Sequence, residues 1–137
     1  TFLSLACPAV CMIRKVDHHV VLDTDFLINL LQGRKEETEF LKRHEGKTFS
    51  TTSINIVELY GWAYRSNDRL SAWRDIEALR ESLLILNLND AAVKRSGVIV
   101  SEMDRLGKSL ELRELLIKTI AETNGCQVYK ALPPQRR

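Results

Sequence analysis

The stretch HVVLDTDFLINLLQG, His19 to Gly33, decides how this chain is read. Val20-Val21-Leu22 reads as a short buried strand, and it runs directly into Asp23-Thr24-Asp25. From about Asp25 to Gln32 the apolar residues Phe26, Leu27, Leu30 and Leu31 recur at three-to-four spacing, which predicts a helix. Gly33 is a suitable stop for it. Two carboxylates therefore stand where a strand hands over to a helix.

Outward from that stretch, a polar helix is expected over Glu36 to His44, ahead of Gly46, and a second strand over Thr48–Thr51. Ser53 is a candidate N-cap for the helix INIVELYGWAYR. Asn67 or Asp68 caps a further helix in which Leu70, Trp73, Ile76 and Leu83 can share a face. Leu84–Leu88 reads as a third strand. Asn89-Asp90 then opens a helix through Val93, Val100, Met103 and Leu106, ending at Gly107. A last helix covers about Glu111 to Thr123, with Leu112, Leu115, Leu116, Thr119 and Ile120 toward the core. It stops at Asn124-Gly125, before a short fourth strand, Gln127-Val128-Tyr129. Strands alternating with helices, with short apolar runs, predict an α/β fold whose parallel sheet carries helices on its faces. The sequence divides into an N-terminal extension over 1–19, one domain over 20–129 and a tail over 130–137.

A chain of 137 residues fits one domain with a single sizeable core. Its 45% hydrophobic and 28% charged residues are those of an ordinary globular protein. A net charge of +2, from 20 basic and 18 acidic residues, permits nucleic acid as a partner without arguing for it. Cys7, Cys11 and Cys126 supply neither a zinc pattern nor a disulfide framework, so a reducing, cytoplasmic setting is expected. The apolar opening TFLSLACPAVC has no basic leading region and is short for a membrane span, so no membrane association is expected; Met12 is a candidate alternative start.

Ligands of open α/β sheets gather at the carboxyl ends of the strands, where Asp23 and Asp25 are expected to lie. Either acid alone has a plainer reading: Asp23 as an N-cap, Asp25 as an acid favoured by the helix dipole. Glu58 shares a helix face with Ile54 and Trp62, which points it toward a cleft; the plainer reading pairs it with Arg65. Glu114 is a third candidate, and its plainer reading is an i, i+4 pair with Lys118; Glu111 stacks a second negative charge one turn earlier. Grouped carboxylates repel one another unless a hard divalent cation is held between them. Mg²⁺ or Mn²⁺ suits such a site, and a cation there can activate water and neutralise a phosphoryl oxygen. That chemistry is phosphodiester hydrolysis.

Three pieces now stand in order: VVLDTDFLINLLQG, SINIVELYGWA and GKSLELRELLIKTIAETNG. In that order and at these separations they resemble the PIN-domain nucleases, in particular the VapC-type toxins of bacterial and archaeal toxin–antitoxin pairs. The resemblance covers roughly Val20 to Gly125. It implies a three-layer α/β/α, PIN-like domain with a parallel central sheet. It implies a divalent-metal-dependent endoribonuclease using Mg²⁺ or Mn²⁺, a homodimer, and inhibition by a cognate antitoxin protein. Carried over position by position, the catalytic and metal-ligating acids are Asp23, Glu58 and Glu114, with Asp25, Glu111 and Lys118 as possible accessory groups.

The chain departs from the family pattern in several places. Asp25 replaces the usual Asn, Glu114 is one methylene longer than the usual Asp, and Lys118 stands where a small residue is usual. The stretch VYKALPPQRR holds no counterpart of the family's fourth acid. These departures motivate an alternative, a catalytically degenerate PIN domain that binds RNA or an antitoxin without cleaving. A phosphoacceptor receiver domain is a third class, for which LLILNLND lacks a convincing acceptor strand. His18-His19, Tyr60, Trp62, Tyr64, Arg136 and Arg137 admit ligand or RNA roles, but solvent-facing or packing roles explain them as well.

Overall fold

The computed structural model describes residues 19–131, and the side chains from Val20 onward. The expectations placed on Cys7, Cys11, Met12 and His18, and on Arg136 and Arg137, lie outside these residues. The strands are β1 (His19–Leu22), β2 (Thr48–Thr52), β3 (Leu84–Leu86) and β4 (Gln127–Tyr129). Between them come α1 (Thr24–Leu31), α2 (Lys35–Arg43), α3 (Ser53–Arg65), α4 (Arg69–Ser82), α5 (Asp90–Arg105) and α6 (Leu112–Thr123). Among the described residues no helix is long and apolar enough to cross a membrane.

The strands pair in the order β3-β2-β1-β4, all parallel. Successive side chains of β1 point to opposite faces, so its three apolar residues feed two cores. Val20 and Leu22 join Phe26, Leu27, Phe40, Leu59 and Ile76, a core built with α1 to α4. Val21 joins Leu86, Ala92, Ile120 and Ala121, a second core built with α5 and α6. The result is the three-layer α/β/α arrangement with a parallel sheet expected from the sequence.

The central strand β2, TFSTT, is unusually polar for its burial: Ser50, Thr51 and Thr52 are fully buried. Each hydroxyl is satisfied. Ser50 Oγ donates to the Val20 carbonyl at 2.9 Å, Thr51 Oγ1 to the Leu22 carbonyl at 2.8 Å, and Thr52 Oγ1 to Asn55 Oδ1 at 2.7 Å. Buried hydroxyls with partners cost little, and those of Ser50 and Thr51 fasten β2 to β1 beyond the ladder itself.

Several local expectations change. The N-cap of α3 is Thr52, one residue earlier than Ser53, and it forms a capping box with Asn55. Of the two candidate caps for α4, Asp68 accepts from the Ser71 amide at 3.1 Å. The third strand ends at Leu86, two residues short of Leu88. On α4, Leu70 and Trp73 are exposed, and Ala72 and Ile76 take the buried face. On α5, Val93 and Leu106 are exposed while Ala92 and Ser96 are buried; Ser96 Oγ meets Thr119 Oγ1 of α6 at 2.8 Å. Leu112 of α6 is likewise exposed, and Ile117 and Ala121 are buried beside Leu115, Thr119 and Ile120. Gly33 ends α1 region with φ +79 and Gly125 turns α6 into β4 with φ +66, conformations that favour glycine.

Candidate active site at the carboxyl edge of the sheet

Strands β2 and β3 lie on one side of β1, and β4 on the other. The carboxyl ends of β1 and β4 therefore flank a point where strand order reverses, the usual position of a ligand crevice. The Asp23 amide donates to the Tyr129 carbonyl at 2.9 Å, which ties the two strand ends together. A cleft of about 470 Å³ opens there, lined among others by Asp23, Thr24, Asp25, Arg113, Glu114, Lys118 and Lys130.

Asp23 occupies the N-cap position of α1, but its side chain makes no capping bond. Its Oδ1 instead accepts from Asn55 Nδ2 at 2.9 Å. The other hydrogen of that amide goes to Thr24 Oγ1, also at 2.9 Å, and Thr24 Oγ1 donates onward to Glu58 Oε1 at 2.6 Å. Asn55 Oδ1 accepts from the Thr52 amide at 3.2 Å and from the Thr52 hydroxyl. The Asn55 amide is thus fully used and fully buried, and it fixes two carboxylates 35 positions apart in sequence. Such a polar chain fixes the orientation of both acids. Plain capping would leave Asp23 on the N-terminal amides of α1.

Glu58 is half-buried, at 22% side-chain exposure, as its apolar helix face implies. Its cationic partner is Arg113 of α6, not Arg65: the Arg113 Nη1 group bonds Glu58 Oε2. Arg113 also holds Glu111 Oε1 through Nε at 3.0 Å and Nη2 at 2.9 Å. Glu111 first and Glu58 second push the Arg113 pKa above its ordinary value, so the guanidinium is cationic at any working pH. Glu58 does not line the cleft itself; Thr24 and Arg113, its two partners, do.

Glu114 lines the cleft with Asp23 and is 60% exposed. It does not pair with Lys118 as its i, i+4 spacing suggests. Lys118 instead stands 4.0 Å from Glu122, and Lys130 stands 4.0 Å from Glu114. Asp25 is exposed on the cleft wall. Trp62 packs beside the first core, Tyr60 stacks on Trp73 with ring centroids 4.3 Å apart, and Arg69 covers the Tyr64 ring. These three aromatics are engaged in packing on α3 and α4.

The structure brings Asp23, Asp25 and Glu114 to one cleft and links Glu58 to it through Thr24. Among the described residues no three His, Cys, Asp or Glu side chains form a ready-made metal cage. The donor chemistry still fits a hard divalent cation: the acids offer only oxygen, and a positive charge, Arg113, already rests on Glu58. Asn55, Thr24 and Arg113 are the residues that sequence reasoning missed. Asn55 did carry a signal, because it precedes Glu58 by three residues and so shares its helix face.

No protein-family model matches the chain. It is 28% identical over 100 residues to ribonuclease VapC3 of Methanocaldococcus jannaschii, covering 73% of this chain and 95% of that protein. The DNA-bound VapBC of Salmonella typhimurium superposes with a TM-score of 0.72 at 21% identity, covering 82% of this chain and 86% of that one. VapBC2 of Rickettsia felis, bound to a promoter DNA fragment, gives 0.71 at 16% identity over 80% and 84%. VapC20 of Mycobacterium tuberculosis, a toxin that cleaves the sarcin-ricin loop, gives 0.61 at 13% identity over 83% and 89%. The resemblance to VapC-type PIN domains read from the three acidic motifs is borne out, and this chain has their fold.

Proposed function

We propose that this chain is a VapC-like endoribonuclease that hydrolyses RNA phosphodiester bonds with the help of a divalent cation, Mg²⁺ or Mn²⁺. The observation that carries the reading is the hydrogen-bonded series Asp23–Asn55–Thr24–Glu58 at the carboxyl edge of the sheet, whose Asp23 and Thr24 line one cleft with Glu114. Asp23, Glu58 and Glu114 would hold the cation, with Asp25 near enough on the cleft wall to assist. When bound, the cation supplies a more acidic water and charge neutralisation at the phosphoryl oxygen. Asn55 keeps Asp23 Oδ1 occupied, which leaves Oδ2 for ligation and fixes the carboxylate plane. Thr24 likewise fixes Glu58 through Oε1, while Oε2 carries Arg113 Nη1, which a cation there would have to displace. One of the cleft carboxylates orients the attacking water and takes its proton. Lys118 and Lys130 also line the cleft and would offer cationic contacts to a polyanionic substrate once a cation offsets the acids.

A relative named as a ribonuclease and neighbours named as toxin–antitoxin complexes support RNA as substrate and an antitoxin protein as partner; self-association as a homodimer and a cytoplasmic location complete the proposal. The test is RNA cleavage by the purified chain with Mg²⁺ or Mn²⁺, beside Asp23→Asn and an EDTA control. Cleavage that disappears in both controls is expected. Cleavage that survives Asp23→Asn, or persists in EDTA, rules the mechanism out; no cleavage by an intact, metal-binding chain would leave binding of RNA or antitoxin as its function.

A further inference from the structure

We propose that Arg113 is the phosphate-positioning residue of this site, paired with Glu58 and released to the RNA backbone when a cation takes Glu58. The inference rests on Glu58 being a cation ligand, and it adds a residue that no acidic motif contains.

Three features of the geometry point to it. Arg113 lines the cleft together with Asp23 and Glu114, so a substrate entering there meets it. Its guanidinium is held from two sides: Glu111 takes Nε and Nη2, and Glu58 takes Nη1. A divalent cation bound to Glu58 displaces only the Nη1 contact, because two positive charges compete for one carboxylate oxygen. Glu111 lies on the other edge of the guanidinium and keeps hold of it. The arginine then stays at the cleft wall with one N–H edge free, and a planar fork of donors suits a phosphate.

The arrangement also accounts for Arg113 being partnered by two acids. Glu111 and Glu58 hold one arginine, and a structural ion pair needs a single acid. At 45% side-chain exposure Arg113 contributes little to the packed core, so its removal should leave the fold intact. Lys118 and Lys130 share the wall but are each tied to one acid, at 4.0 Å, and neither touches Glu58.

The experiment is a Mn²⁺ titration by calorimetry on wild type, Arg113→Gln and Asp23→Asn, followed by cleavage kinetics at saturating Mn²⁺. Arg113→Gln is expected to bind Mn²⁺ about three- to tenfold more tightly, since the cation no longer has to displace a half-exposed ion pair. In the same variant the KM for RNA should rise roughly tenfold with a smaller change in kcat, the split expected when a backbone phosphate contact is lost. Arg113→Lys, which keeps the charge without the fork, should recover part of the KM. Thermal melts of each variant report folding. Unchanged or weaker Mn²⁺ binding by a folded Arg113→Gln overturns the exchange, and an unchanged KM overturns the phosphate contact. If wild type binds Mn²⁺ and Asp23→Asn does not, such a result removes Arg113 alone and leaves the metal site standing. If wild type binds no Mn²⁺ at millimolar concentration, the metal site and the exchange fall together.

Discussion

Thr24 Oγ1 donates to Glu58 Oε1 at 2.6 Å, joining the first turn of α1 to the second turn of α3 across 34 positions of sequence. The hydroxyl is buried, accepts from Asn55, and is the only donor to that carboxylate oxygen recorded among the described residues. Thr24→Val keeps the shape and removes the hydroxyl, leaving Asn55 Nδ2 and Glu58 Oε1 each short of a partner. We expect a loss of about 1–3 kcal/mol in stability, the usual cost of buried groups left unmatched, measured by urea unfolding. RNA cleavage should fall about tenfold or more, because Glu58 loses its fixed orientation. A variant as active and as stable as wild type would detach Thr24 from the site.

Asn55 should be the more sensitive position. Its amide makes four hydrogen bonds with Asp23, Thr24 and Thr52, and it is fully buried. Asn55→Ala removes the side-chain half of the α3 capping box, while the backbone amide of residue 55 stays on Thr52 Oγ1, and it removes the link between the acids. The orphaned buried partners should cost about 1–3 kcal/mol. A loss near the upper end of that range is expected in urea unfolding. A loss under about 0.5 kcal/mol, the level of an ordinary surface substitution, would contradict the network.

How much of this was legible in the sequence differs from element to element. The run Val20-Val21-Leu22 announced a short buried strand, and the structure sends its alternate residues into two separate cores. Gln127-Val128-Tyr129 was read as a strand and is one. The face of α4 was misread for a geometric reason. Steps of three residues, as from Leu70 to Trp73 to Ile76, slip back by about 60° each, so they leave a helix face quickly. The buried seam runs through Ala72, Ile76, Leu79 and Leu83, whose alternating steps of four and three hold one direction. On α5, hydrophobicity misled because small residues, Ala92 and Ser96, allow the close approach of α6. The acids at the carboxyl edge could be proposed from sequence, but their partners could not. Asn55 meets Asp23 across 32 positions and Arg113 meets Glu58 across 55, and local periodicity carries no information at that range.

Phe40 ties α2 to the site without touching it. Its ring lies edge-on to Phe26 with centroids 5.4 Å apart, and 5.0 Å from that of Tyr129, whose carbonyl receives the Asp23 amide. Phe40→Ala should cost about 3–5 kcal/mol by opening a cavity between α1, α2 and the end of β4. Phe40→Leu, which fills most of the space, should cost less. Equal unfolding midpoints for the two variants would mean that this ring cluster contributes no specific packing.

Metal binding should be visible as stability. A ligand that binds the folded chain alone stabilises it by RT ln(1 + [L]/Kd), so Mn²⁺ at about a hundred times its Kd adds about 2.7 kcal/mol. The melting temperature should rise by several degrees, return on adding EDTA, and fail to move in Asp23→Asn. A rise of the same size in Asp23→Asn would place the cation elsewhere on the molecule.

Glu114 separates function from stability. It is 60% exposed, and its recorded ion-pair contact, with Lys130 at 4.0 Å, is too long and too wet to contribute much. Glu114→Gln should therefore shift stability by less than about 0.5 kcal/mol. If Glu114 ligates the cation, the same change should lower cleavage about a hundredfold and weaken Mn²⁺ binding, because an amide oxygen carries no charge to offer the ion. Its position in the cleft that Asp23 also lines makes both effects the expected ones. Glu114→Asp gives the second reading of the same site. It restores the shorter side chain usual in VapC-type toxins, so it should keep at least part of the activity that Gln loses. Should Gln and Asp prove equally inactive while Mn²⁺ still binds normally, Glu114 would have to act on the substrate and not on the cation.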